Sequence, residues 1–397
     1  MHLGGTAMAS RHYDAVIVGA RCAGAATAML LARSGLRVLA IDRGEYASDT
    51  LSTHALMRGG VLQLLRWGVL ADIVGAGTPP VRDAVFHFGD ESMTVAVAPR
   101  YGVEALYAPR RTLLDRLLVD AARTAGAEIL YGLRVIDLLY SPRRCVRGVV
   151  AIDAHGQPQR ITADIVIGAD GMRSTVARLV DIEPYRVGRH ASSVIYAYWN
   201  ELDPCGYQWH WRRGLAAGEI PTNHGRTCVF AALPASLFRT AVGGGVEAGY
   251  RRLLEHAAPR LIDGRQRPPV GLRAFSGQIG FIRQSWGPGW ALVGDAGCFR
   301  DPITAHGITD ALRDADLLAR AVIDGSEGAL ANYQAERDAS AGVLFELSDQ
   351  IASFAWGLSE IRRLTEDLAK AMSAEVKTMA ARPALGSRVT SPRLCIV

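Results

Sequence analysis

The chain has 397 residues, 49% hydrophobic and 21% charged, enough for a large core and two domains with appendages. Its net charge of +5 rests on dispersed arginines (Lys370 and Lys377 are the sole lysines), and pairs such as Arg110–Arg111 and Arg212–Arg213 never form the basic stripe that nucleic acid requires. No run of about 18 apolar residues is free of charge, which argues against a membrane span. The six cysteines include no C-x-x-C pair, which argues against a zinc site or a disulfide framework and favours a reducing cytoplasm.

In chain order, the opening MHLGGTAMAS lacks the apolar stretch of a signal peptide and reads as a flexible leader over 1–12. Tyr13–Val18 (YDAVIV) reads as a buried strand; a helix opens at Cys22 or Ala23 and runs to Arg33, and Gly35 closes it. Leu36 to Asp42 (LRVLAID) is a second strand, completing a βαβ start within about 30 residues. Ser52 to Leu70 has helical spacing, with Ser52 or Thr53 as its N-cap. Val81 to Ala98 alternates around Gly89–Asp90 and predicts a hairpin. Arg111 to Gly126 predicts an amphipathic helix ended by glycine, and short strands follow at AEIL, RVIDLLY, VRGVVAID and ADIVIGAD. Val194 to Leu233 is strand-like and aromatic (VIYAYW, YQWHW, CVFAAL). From Trp290 the chain reads strand, loop and a long helix from Gly307 to Ile323, then further helices to about Ala381 and a loose end.

Three motifs carry chemistry. The first, VGARCAGA, has the look of a dinucleotide turn, except that Arg21 stands where G-x-G-x-x-G has its second glycine. Alone it is equally a plain strand-to-helix turn; Asp42, about 20 residues on, is placed to accept hydrogen bonds from a ribose. The second, VIGADGMRSTVAR, puts Asp170 and Gly171 in a turn ahead of a helix that Ser174 can cap, and Asp170 either caps or meets a ligand. The third, WALVGDAGCFRDPITAHGITDAL, delivers Asp295 from a strand end and sets Pro302 before a helix N-terminus near Gly307. Such a helix start offers free N–H groups and a positive dipole end to an anion.

In this order and spacing the motifs resemble the FAD-dependent monooxygenase superfamily of the hydroxylase type, related to flavin halogenases and geranylgeranyl-type reductases. The resemblance spans Tyr13 to about Val322 and is specific for FAD. It implies an α/β fold: a Rossmann-like FAD-binding domain from 13–78, 101–180 and 276–335, interleaved with a substrate-binding sheet domain from 79–100 and 181–275. C-terminal helices and a tail occupy 336–397. By the same resemblance Gly19, Arg21, Cys22, Ala23 and Gly24 surround the FAD pyrophosphate, with Asp42 and Arg43 at the ribose. Arg111 reaches the phosphates, and Val135 touches adenine. Asp170 and Gly171 contact the cofactor, Asp295 bonds the ribityl chain, and Pro302, Gly307 and Ile308 lie against the isoalloxazine. The implied reaction uses NADH or NADPH and O2, with a C4a-hydroperoxyflavin delivering one oxygen atom. The cofactor performs the difficult step while the protein positions it and excludes water. The electrons arrive from transient nicotinamide, for which no second glycine fingerprint exists, or from a separate flavin reductase; the chain is a monomer or homodimer.

His306, Thr304 and His54 are the candidate catalytic side chains, His306 either tuning the flavin or merely capping. Tyr196, Tyr198, Trp209 and Trp211 are the candidate substrate walls, with part of this set expected to serve packing alone. An apolar, aromatic or polycyclic substrate is expected. A reductase, oxidase or dehydrogenase on the same fold is the alternative. Halogenation is disfavoured because halogenases of this kind use a lysine, and both lysines here fall in the C-terminal helices. Arg21 fits its position if φ is negative, with its guanidinium directed toward the flavin side, back over the diphosphate, or into solvent.

Overall fold

The computed structural model describes residues 12–200, 202, 204–262, 271–326 and 328–385. The leader and the loose C-terminal stretch therefore lie, but for their innermost residues, outside the described residues. The first strand, His12–Val18, is the centre of an eight-stranded sheet because its apolar run can be buried on both faces. It pairs in parallel with Val38–Asp42 on one side and Pro158–Gly168 on the other. Glu128–Tyr131 and Trp290–Leu292 extend the parallel order outward. The first crossover is the helix Cys22–Arg33, whose alanines and glycine let it pack tightly, and Gly35 at φ +90 turns the chain back.

The second sheet has seven strands and takes its edge hairpin, Asp83–Phe88 with Glu91–Ala96, from far earlier in the chain than the rest. Its inner strands are Ser192–Asn200, Arg226–Pro234, Leu215–Thr222 and Tyr207–Arg212. Strand alternation divides the aromatic block between two faces. One face carries Tyr196, Phe230, Gly218 and Trp209 as successive cross-strand partners. The other buries Ile195, Trp199 and Val229 under the helix Val246–Ala257, where Trp199 Nε1 donates to Tyr250 OH at 3.0 Å.

One expectation needs correction. The helix predicted from Ser52 starts only at Arg58, as Arg58–Arg66. Residues 52–57 are irregular instead, with His54 left-handed, because Ser52 N donates to Tyr196 OH at 3.1 Å and Leu56 N to Tyr107 O at 3.0 Å. The last three helices are Gly307–Asp324, Ala329–Ala352 and Leu358–Ala381. The final one is bound to Arg58–Arg66 by Arg66, which donates to the Met379 and Ala380 carbonyls at 2.7 Å each. Among the described residues no helix is long and apolar enough to cross a membrane.

Candidate cofactor and substrate cleft

A cleft of about 870 Å³ lies between the carboxyl ends of the parallel strands (Val18, Asp42, Val293) and the inner face of the second sheet. At one end the glycine turn leaves no space for side chains. Gly19 holds φ +103, and a Cβ there would sit 2.5 Å from the Ala169 carbonyl oxygen. A Cβ on Gly24 would sit 1.8 Å from the Gly19 carbonyl oxygen. Arg21, by contrast, has φ −94, a conformation open to any L-residue. Ala23 lines the cleft in the first helical turn, which carries no acidic residue, so the N–H groups and dipole of that turn would favour an anion.

The Arg21 guanidinium takes a different course from all three expected ones. It donates to Ser48 O at 3.3 Å, Ser48 Oγ at 3.1 Å and Asp115 Oδ2 at 3.2 Å. Asp115 is a buried hub: it also accepts Arg111 through Nε at 3.2 Å and Nη2 at 3.0 Å, and the Cys22 thiol at 3.0 Å. Burial pushes that thiol far up, so Cys22 stays uncharged. Arg111 lines the cleft with its fork already engaged by Asp115. Asp42 accepts from Ala20 N at 2.8 Å and Gly44 N at 2.7 Å, which aims the carboxylate at the cleft, where Arg43 and Val135 also lie.

Asp170 lines the cleft and closes the start of helix Thr175–Leu179, accepting from Ser174 Oγ at 2.5 Å and Thr175 N at 2.6 Å. Gly171 follows at φ +80. Asp295 lines the cleft with no hydrogen-bond partner among the described residues. Burial, helped by Asp310 and opposed by Arg111, raises its carboxyl from 3.8 to about 7. Asp301 fastens the following loop to the second sheet, accepting from Ser192 N and Oγ at 2.6 Å each and from Ile303 N at 2.9 Å. Pro302, Gly307 and Ile308 line the cleft beyond it.

His306 and Thr304, expected as catalytic groups, do not line the cleft. Thr304 Oγ1 is buried against Ser348 Oγ at 3.0 Å, and His306 Nε2 meets Glu375 Oε2 at 2.7 Å. Both partners come from the last two helices, so the loop turns these side chains toward a neighbour that local sequence does not reveal. His306, Asp310 and Glu375 bring ligand-type atoms within 4.8 Å of one another. Arg313 fills that space, donating to Asp310 at 2.7 Å and Glu375 at 2.5 Å, and leaves no room for a cation's charge.

At the opposite end Tyr196 and Trp209 form the wall, joined by Val194, Phe230, Phe275 and Phe299. Trp211 instead packs edge-on to Trp356 at 5.7 Å, and Tyr198 stands outside the wall under Arg110, 4.0 Å from its ring. Phe230 was legible from the alternation of CVFAAL; Phe275 and Phe299 arrive from strands too short to carry a pattern. His54 lines the cleft with φ +57, its Nε2 2.8 Å from Tyr198 OH and its Nδ1 buried without a partner among the described residues. Burial, reinforced by Arg111, Arg110 and Arg273, lowers its pKa to about 3, so the ring is neutral.

A glycine cradle closed to side chains, a helix start with no acidic residue in its first turn, an acidic strand end and an unpartnered Asp295 together suit a dinucleotide with a long polyol chain. The fold and cleft are those of an FAD-dependent oxidoreductase. Residues 12–202 match the family model described as FAD binding domain, and the chain is similar to flavin-dependent reductases, monooxygenases and halogenases. It is 28% identical over 341 residues to the digeranylgeranylglycerophospholipid reductase of Methanothrix thermoacetophila, covering 79% of this chain and 80% of that protein. PqsL of Pseudomonas aeruginosa, a probable FAD-dependent monooxygenase, superposes with a TM-score of 0.74 at 21% identity, over 91% of this chain and all of that one. The flavin-dependent brominase Bmp2 gives 0.74 at 17% identity, over 93% of this chain and 94% of that one.

Proposed function

We propose that the protein is a monooxygenase that uses FAD, NAD(P)H and O2 to hydroxylate or epoxidise an apolar aromatic or polycyclic molecule. The observation that carries this reading is the row Tyr196–Phe230–Trp209, in which the Phe230 ring lies over Gly218 and all three rings line the cleft. A Cβ on Gly218 would lie 2.4 Å from the Phe230 ring. Such a wall stacks planar rings and keeps water from the reacting centre.

When bound, FAD supplies electron transfer from NAD(P)H and the activation of O2. Gly19, Ala23 and Gly24 hold its pyrophosphate at the helix start, Asp42 its ribose and Asp295 its polyol chain, while Pro302, Gly307 and Ile308 back its ring. Neutral His54 bonds a substrate oxygen through Nδ1 and moves a proton at that atom, with Tyr198 fixing the ring through Nε2. The buried free cysteines suit a reducing cytoplasm.

The likeness to a reductase of similar length favours a second reading, saturation of a prenyl chain or of a quinone-like ring. Halogenation is disfavoured: Lys370 is an exposed partner of Asp367 at 3.0 Å, and neither lysine lines the cleft. The deciding experiment supplies FAD-loaded protein with NADH or NADPH, ¹⁸O2 and a panel of aromatic and isoprenoid compounds. A product carrying ¹⁸O supports oxygenation; a saturated product without label refutes it in favour of reduction.

A further inference from the structure

Behind the loop and helix start that close the cleft lies a buried chain of charges. Arg300 Nε donates to Asp310 Oδ2 at 3.0 Å, and Nη2 meets the same oxygen. Arg313 Nη1 bridges Asp310 Oδ1 at 2.7 Å and Glu375 Oε1 at 2.5 Å, and its other edge forks onto Asp314. Burial by itself would raise the Glu375 and Asp310 carboxyls; the surrounding cations outweigh it and hold both below their usual range.

Three polar atoms of this network are buried without a partner among the described residues: Arg300 Nη1, His306 Nδ1 and Asp314 Oδ2. Of their three residues only Arg300 lines the cleft. Asp310 grips one edge of that guanidinium, so the free Nη1 is held in a fixed direction on the side away from Asp310. A buried cation with an unmet donor is stabilised by any acceptor that arrives.

We propose that Arg300 donates through Nη1 to an acceptor on the ring system of bound FAD and that its charge favours the reduced, electron-rich form of that ring. Asp310, Arg313 and Glu375 are positioning residues, and Glu375 ties the arrangement to the last helix. This rests on the reading of the cleft as an FAD site whose ring end adjoins Phe299, Pro302 and Ile303. The effect is electrostatic and transfers no atoms.

The test measures FAD affinity and the midpoint potential of the bound flavin against reference dyes, with no substrate present. Arg300→Met retains FAD but lowers the reduction equilibrium at least tenfold, about 30 mV for a two-electron couple. Arg300→Lys, which keeps the charge, stays within about threefold of the native protein. Asp310→Asn, which removes the counter-charge, shifts the potential in the opposite direction. An unchanged potential in Arg300→Met overturns the proposal. Where that variant does not fold, a fall or no shift in Asp310→Asn overturns it equally. A native protein that takes up no FAD refutes the reading of the cleft itself, a separate and recognisable result.

Discussion

Asp295→Asn probes the cleft through pH. The folded protein raises this carboxyl from 3.8 to about 7 by burial and by the neighbouring Asp310. A raised carboxyl binds its proton more tightly in the folded chain than in the unfolded one. Its destabilising effect is therefore absent below about pH 4, grows as pH rises toward 7, and is constant above. From about pH 5 to about pH 8 the accumulated difference is about two pH units, or about 2–3 kcal/mol at 1.4 kcal/mol per unit. Asparagine keeps the shape and cannot ionise. Urea unfolding of protein stripped of FAD is expected to show the asparagine variant gaining about 2–3 kcal/mol over the native chain between those two pH values. An equal difference at both pH values would falsify the account of Asp295 as a carboxyl that burial in the cleft makes titrate near neutral pH. With cofactor present, native affinity for FAD changes through neutral pH while that of the variant stays flat.

Gly24→Ala forces a methyl onto the Gly19 carbonyl oxygen, 1.8 Å away, and costs about 3 kcal/mol in thermal or urea unfolding together with the loss of visible flavin absorbance. Trp209→Ala and Trp211→Ala separate wall from packing. The first weakens substrate binding in equilibrium titration, whereas the second, by opening a void beside Trp356, lowers stability by about 3–5 kcal/mol with substrate affinity kept. His54→Asn retains a side chain that accepts φ +57 yet removes the Tyr198 contact; turnover falls about a hundredfold or more with FAD content unchanged, and a near-native rate would remove His54 from the mechanism. Arg21→Gly releases residues 48–49 from the glycine turn; proteolysis within that stretch should quicken, with a stability change of about 1 kcal/mol for a partly exposed pair.

The elements that sequence made legible are those whose signal is local. The βαβ start, the Gly89–Asp90 hairpin, the Ser174 cap and the helix from Gly307 each follow from period, turn chemistry or capping within a few residues. Other features depend on partners distant along the chain. Residues 52–57 are drawn out of helical form by Tyr196 and Tyr107, and His306 is turned by Glu375. Arg21 shows both sides of this. Its negative φ was foreseeable from its residue type, but its engagement with Ser48 and Asp115 depends on a helix that begins ninety residues later. Arg300 gave no sign in sequence, because an arginine between Phe299 and Asp301 reads as a surface residue until burial is known.

The Glu375–His306 contact also bears on synthesis. A nascent chain emerges N-terminus first, and the glycine turn is made long before its neighbours. The strand His12–Val18 waits for Pro158–Gly168 to pair on its second side, and the charges behind the Pro302–Gly307 loop wait for a carboxylate on the last helix. Until translation reaches that helix, Arg313 has only Asp310 and Asp314 as partners, His306 lacks Glu375, and the loop lacks its backing. The backing of the cleft is thus completed only when nearly all of the described chain has been made.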